Sequence, residues 1–172
     1  MSRWSEWMKG SGTVSGTRRR WLAALLGTSG ALVASTVGRR AEAAEDMKFP
    51  GDEPTHKVLY QFNQADNTYH EHVLGSASAM LREYTDDIHV VVTCFGEGIH
   101  IVAKKPGRPV EELIRQRVSS LADYGVEFHA CARTMEGLNW KAEDMLPFVK
   151  VVPVGAADLM ELQEKGYAYI AW

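Results

Sequence analysis

Five short apolar runs, His56 to Phe62, Ile88 to Cys94, Val126 to Cys131, Phe148 to Val152 and Tyr167 to Trp172, alternate with segments patterned as helices. No other feature constrains the fold as much. Each run is strand-like. Between the first two, Val73, Leu74, Ala77, Met80, Leu81 and Tyr84 fall on one helical face. Val110, Leu113, Ile114, Val118 and Leu121 do the same after Pro109, a residue suited to a helix's first turn, and Gly125 ends that helix. Ala157 to Lys165 is helical in composition, with Gly166 as its terminator. Parallel neighbours need crossover connections, and near-continuous apolar strands indicate burial on both faces. The alternation therefore predicts an α/β fold: a mainly parallel sheet with helices on both sides, a three-layer sandwich. In such sheets chemistry sits outside the carboxyl ends of the strands. Cys94 and Cys131 both fall at predicted carboxyl ends.

The stretch GTRRRWLAALLGTSGALVASTVGRRAEAAED decides the compartment in which any thiol chemistry operates. Arg18, Arg19 and Arg20 form a positive n-region, Trp21 to Val37 is apolar but diluted by glycine, serine and threonine, and Ala41-Glu42-Ala43 supplies a small-x-small cleavage pattern. The order Thr17-Arg18-Arg19-Arg20-Trp21-Leu22 resembles the twin-arginine export signal, with Trp where Phe is usual. The apolar run falls short of the roughly 20 strongly hydrophobic residues of a spanning helix. Residues 1–44 are thus expected to be a cleaved signal peptide, residues 45–55 a tether, and residues 56–172 the folded domain, delivered to the periplasm and free of the membrane after cleavage.

Residues 1–44 hold seven Lys/Arg and two acids, so the remainder keeps 12 basic and 20 acidic residues, a formal net charge of −8. That balance opposes binding to a phosphate backbone, which depends on clustered Lys and Arg. Nucleic acid is excluded as an expected partner. Gly96-Glu97-Gly98 is not followed by a third glycine in dinucleotide-fingerprint spacing, and Gln64-Ala65-Asp66-Asn67-Thr68 after the first strand has no glycine to wrap a phosphate. No cofactor is expected.

His70-Glu71-His72 has the look of a metal pair, but residues two apart on a helix point roughly 200° apart, so both rings cannot chelate one ion. No metal is expected there. A zinc site gathering Cys94, Cys131 and a histidine through folding stays open at this point.

The thiolate is the reactive form of cysteine, and its pKa of about 8.5 falls at a helix amino terminus or near a cation. Cys131 has both features in prospect. Ala132 to Leu138 can begin a helical turn, Arg133 is two residues on, and His129 shares the sulfur's side of an extended strand. The alternative is a small buried hydrophobe, as free cysteines commonly are.

Gly125-Val126-Glu127-Phe128-His129-Ala130-Cys131-Ala132-Arg133-Thr134-Met135, with Glu143-Asp144-Met145-Leu146-Pro147, Val151-Val152-Pro153-Val154-Gly155 and the segment Leu162 to Ile170, resembles the DsrE/DsrF-like family. The turn Gly96-Glu97-Gly98-Ile99 is similar to that family as well. The resemblance covers nearly all of residues 56 to 172. It implies the DsrEFH-like α/β/α sandwich with a five-stranded sheet, and homo- or hetero-oligomers that carry sulfur as a cysteine persulfide in a sulfur relay. Cys131 matches the cysteine of the family's Gly-Val-x-Phe-x-x-Cys segment and is the candidate sulfur acceptor. His129 and Arg133 are expected to favour the anionic sulfur, while Cys94, Gly96 and Gly98 are expected to line the neighbouring wall.

If the second and third strands are neighbours, as the family sheet implies, their backbones lie about 4.8 Å apart. That is within the Cα separation of roughly 4.4 to 6.8 Å a disulfide tolerates, so a Cys94–Cys131 bond is a further expectation to test. The leading functional expectation is a periplasmic sulfur carrier with a sulfur donor or acceptor protein as partner, at most a sulfurtransferase-like persulfide carrier. The rival is an oligomeric module that binds a small ligand or assembles without covalent chemistry.

Overall fold

The computed structural model describes residues 53–172. The leader reading and the tether up to residue 52 lie outside the described residues. The strands are β1 (His56–Phe62), β2 (Ile88–Cys94), β3 (Glu127–Cys131), β4 (Lys150–Val152) and β5 (Ala168–Ile170). The helices are α1 (Asn67–Tyr84), α2 (Glu112–Asp123), α3 (Ala132–Gly137) and α4 (Gly155–Glu164). The sheet order is β4-β3-β2-β1-β5 and every pairing is parallel. The five expected strands are all present, and β3, β4 and β5 are trimmed at their ends.

The helix boundaries follow local chemistry. Asp66 caps α1 by accepting from the Tyr69 amide at 2.8 Å. Gly125 and Gly166 follow α2 and α4 with φ of +90° and +88°, the left-handed region that glycine reaches without a Cβ penalty. Leu113, assigned from spacing to the buried face of α2, is 55% exposed, because α2 starts at Glu112 and turns Ile114, Val118 and Leu121 inward instead.

The two faces of the sheet differ. On the first, Val58, Tyr60 and Phe62 of β1 and Val90, Val92 and Cys94 of β2 pack with Phe128 and Ala130 against α1 and α2. A seven-residue 3-10 segment, Gly96–Val102, completes that layer, with residues 98–102 buried. Sequence spacing gave this segment only as a turn. On the second face the apolar contact is small: Leu59 and Val91 meet Leu159 and Leu162 of α4, with Phe95 and Tyr167 at its margin. Apart from Val152, which pairs with Cys131, the rest of the β2 and β3 surface on that face is polar, with His89, Thr93, Glu127 and His129, although near-continuous apolar strands had been expected on both sides.

The Cys94–Cys131 disulfide is overturned. Both cysteines are free. Cys94 pairs with Ala130, one residue short of Cys131, and successive strand residues point to opposite faces. Cys94 lies in the core beneath α1 and α2, whereas the Cys131 sulfur accepts a hydrogen bond from α4 on the other face. Adjacent backbones satisfied the distance requirement, but the register set the two side chains on opposite sides.

Candidate functional site

Cys131 is the last residue of β3 and the N-cap of α3, so its sulfur leaves the sheet where a helix begins. On its other side α4 also begins: the Gly155 amide donates to Sγ at 3.2 Å. This approach depends on glycine. A Cβ on Gly155 would sit 3.2 Å from Cys131 Cβ and 3.1 Å from the Phe95 ring. Amides at helix starts have no intrahelical acceptor and point outward, so two helix N-termini converging on one sulfur form an anion-favouring pocket.

Burial raises the pKa of the Cys131 thiol, but donation from the Gly155 main chain, the Thr134 main chain and hydroxyl, and the Arg133 main chain outweighs it. The thiol therefore lies below its ordinary value. Thr134 Oγ1 accepts from the Gly96 amide at 3.2 Å, which leaves its proton for the sulfur. Cys94 shows the opposite case: it is wholly buried without such donors, and burial pushes its thiol pKa far up.

The other site residues expected from sequence fall in different places. Arg133 turns its guanidinium outward to Glu136 at 3.0 Å, so only its main chain serves the sulfur. Gly96 adjoins the site through Thr134. Gly98 is buried against Phe62 on the first face, where a Cβ would lie 2.5 Å from the Phe62 carbonyl oxygen, and Cys94 stays on that face too. On α1, His70 is buried against Phe62 while His72 lies against Trp172, so the pair is separated as helical geometry requires. Among the described residues no group of three His, Cys, Asp or Glu side chains is placed to hold a metal ion.

His129 is 1% exposed and shares the second face with Cys131. Its Nδ1 lies 2.8 Å from Asp158 Oδ2 and its Nε2 3.2 Å from Glu127 Oε2. Asp158 also accepts from the Thr93 hydroxyl at 2.6 Å. The chain of contacts continues from Glu127 Oε1 to His89 Nε2 at 3.2 Å, and from His89 Nδ1 to the Tyr167 hydroxyl at 2.6 Å. Thr93, Thr134, Gly155 and Asp158 escaped sequence reasoning. Only Gly155, at the strand-to-helix junction of the Val151 to Gly155 segment, carried a signal that could have found it.

Burial raises the carboxyl pKa of Asp158, but hydrogen bonds from His129 and Thr93 lower it further, and it lies below the ordinary carboxylate range. Glu127 behaves alike, with burial opposed by His129 and His89. The unfolded chain therefore takes up these protons first, near pH 4. Their contribution to stability is complete above about pH 4 and is lost as pH falls through the lowered folded values. Thermal midpoints measured down a pH series should drop below about pH 4, and Asp158→Ala should flatten the drop. An equal slope in the variant would remove Asp158 from this account.

A shallow depression of about 400 Å³ is lined by Ala132, Arg133, Glu136, Val151, Pro153 and Val154, and Cys131 is not among its lining residues. The sulfur's residue is 5% exposed.

Residues 47–172 match the sequence pattern of the DsrE/DsrF-like family. No curated protein sequence matches the chain. Among solved structures, a protein of unknown function, MTH1491 from Methanobacterium thermoautotrophicum, is 20% identical with a TM-score of 0.61, over 68% of this chain and 99% of that one. The ychN protein from E. coli is 13% identical with a TM-score of 0.54, over 68% and 99%. At these identities the likeness is one of fold.

Proposed function

We propose, because the chain belongs to the DsrE/DsrF-like family and its strand-end thiol is held by amide donors, that it handles sulfane sulfur as a persulfide on Cys131. In this reading residues 1–44 direct export by the twin-arginine route, the mature domain works in the periplasm as a homo-oligomer, and a partner thiol supplies or receives the sulfur. The observation that carries it is the geometry at the strand end: Cys131 caps α3 while the Gly155 amide at the start of α4 donates to its sulfur at 3.2 Å.

The chemistry needs no oxidant. The Cys131 thiolate attacks a sulfane sulfur of a polysulfide, a new S–S bond forms as the donor's S–S bond breaks, and the electron pair leaves with the shortened polysulfide. The same donors that favour the thiolate favour the terminal anionic sulfur of the persulfide. Discharge reverses the roles: a partner thiolate takes the outer sulfur, and Cys131 departs as the better leaving group for having a lowered pKa.

Intact mass of the chain after incubation with inorganic polysulfide, without reductant, tests this. Whole-sulfur mass increments are expected, lost in Cys131→Ser and kept in Cys94→Ser. No increment, or one indifferent to Cys131→Ser, sinks the reading.

One observation favours a second reading, assembly without covalent chemistry. The side of the domain carrying α4 leaves Met160 54% and Tyr169 41% exposed, and a depression of about 650 Å³ lies between α4 and Tyr169. An assembled chain that takes up no sulfur in the mass experiment would support it.

A further inference from the structure

A single helix, α4, covers the second face of the sheet, and its apolar anchorage is slight: Leu159 and Leu162 on Leu59 and Val91. Its polar anchorage is concentrated in one residue. Among the described residues Asp158 is the α4 side chain that hydrogen-bonds to the sheet, to Thr93 of β2 at 2.6 Å and to His129 of β3 at 2.8 Å. Thr93 and His129 are themselves 0% and 1% exposed. Gly155 lies three residues before Asp158, on the same turn of the helix, and its amide is the one that meets the Cys131 sulfur at 3.2 Å. A shift of α4 along or away from the sheet changes the Asp158 and Gly155 contacts together.

His129 has no ring nitrogen left for the sulfur. Nδ1 is taken by Asp158 and Nε2 by Glu127, and an imidazole has two nitrogens to engage. Any influence of His129 on Cys131 therefore passes through its neighbours and not by proton transfer to or from the thiol.

We infer that Asp158, clamped by Thr93 and His129, is a positioning residue for Cys131: it holds the first turn of α4 so that the Gly155 amide stays aimed at the sulfur. The inference rests on the reading of Cys131 as the reacting group. Other titratable groups facing the clamp are Glu127 and His89 on the sheet and Lys150 of β4, whose charge also favours the Asp158 carboxylate. The Arg133 guanidinium is turned away to Glu136.

The sign of one substitution separates positioning from simple charge. A carboxylate acting on Cys131 only as a nearby negative charge disfavours the thiolate, so removing it would lower the thiol pKa and speed alkylation. A carboxylate that positions a donor does the reverse. The rate of iodoacetamide alkylation of the purified full-length chain, followed against pH with modification mapped by mass, reads this directly. Cys94 stays out of the measurement because it is wholly buried.

Asp158→Ala and Thr93→Val are both expected to move the midpoint upward, by about one unit, which is a roughly tenfold smaller thiolate fraction at any pH below both midpoints. Thr93→Ser, which keeps the hydroxyl, should restore the original midpoint. Near-UV circular dichroism confirms that each variant keeps its packing. Should Asp158→Ala fail to fold, Thr93→Val, which removes the hydrogen bond but no charge, decides alone. An unmoved or lowered midpoint in Thr93→Val, or a lowered one in a folded Asp158→Ala, overturns the inference. Alkylation uses no sulfur donor, so absence of a polysulfide adduct would count against the persulfide reading and leave this result untouched.

Discussion

Gly98→Ala should cost about 3 kcal/mol of stability, the upper end of what overpacking a closed interior exacts. The added Cβ would lie 2.5 Å from the Phe62 carbonyl oxygen and 2.7 Å from its carbonyl carbon, distances real Cβ atoms do not show. The obstacle is main chain at the end of β1, paired through its whole length with β2, so it cannot swing aside as a side-chain tip does. The 3-10 segment Gly96–Val102 would have to lift from the sheet instead, loosening Ile99, Ile101 and Val102, all 0% exposed. For a domain whose total stability is in the range of about 5–15 kcal/mol, that is a large share. The midpoint of urea unfolding, compared with wild type at equal slope, measures it. A change under about 1 kcal/mol would mean that the segment is free to shift and that the close approach is not a constraint.

The fold was legible because its strands are short, apolar and separated by turn residues at the places where direction changes. Gly125 and Gly166 ended helices as their left-handed backbone allows. What escaped was the difference between the two faces. His89, Thr93, Glu127 and His129 all sit within runs read as strands, yet they share one side of the sheet with Cys131, and Asp158, the partner of Thr93 and His129, lies 29 residues beyond His129 in a helix with no motif to mark it. Period-2 patterning shows that two residues share a face of one strand, but it does not show which face of the next strand they meet. That depends on register, and register placed Cys94 opposite Ala130, not Cys131. The same ignorance of register made a disulfide seem geometrically open.

Site chemistry followed a similar division. That a thiol stands at a strand-to-helix junction is a local property, and the sequence of β3 and α3 carries it. Which donors reach that thiol is not local. The guanidinium of Arg133, two residues away, leaves for Glu136, while the amide of Gly155, twenty-four residues away, arrives because β4 lies beside β3 and α4 springs from its end. A cation next to a cysteine in sequence was therefore a poor guide to the field at its sulfur. The parallel crossover supplies the donor that sequence proximity suggested but did not deliver.

Gly155→Ala should raise the Cys131 thiol pKa by about one unit, near 1.4 kcal/mol of lost preference for the anion, while leaving the fold intact. Two effects oppose each other in stability. Alanine in place of glycine is worth about 0.4–1 kcal/mol by restricting the unfolded chain, and its methyl group enters contacts of 3.1 and 3.3 Å with Phe95 and 3.2 Å with Cys131 Cβ. The Phe95 ring is half-buried and gives way by rotation, whereas Phe95 Cβ and Cys131 Cβ are fixed by their main chains, so the relief falls on α4, whose first turn moves off the sulfur. The N–H···S contact lengthens from 3.2 Å, and a hydrogen bond to a charged acceptor, worth about 1.5–3 kcal/mol when intact, weakens in part. Alkylation below the midpoint should slow with a roughly tenfold smaller thiolate fraction, and the thermal midpoint should stay close to wild type. Sulfur uptake from polysulfide, if it proceeds through the same thiolate, should slow in proportion. An unchanged alkylation midpoint would show that the amides at the start of α3 suffice to hold the anion, and that the meeting of two helix starts on one sulfur is packing alone.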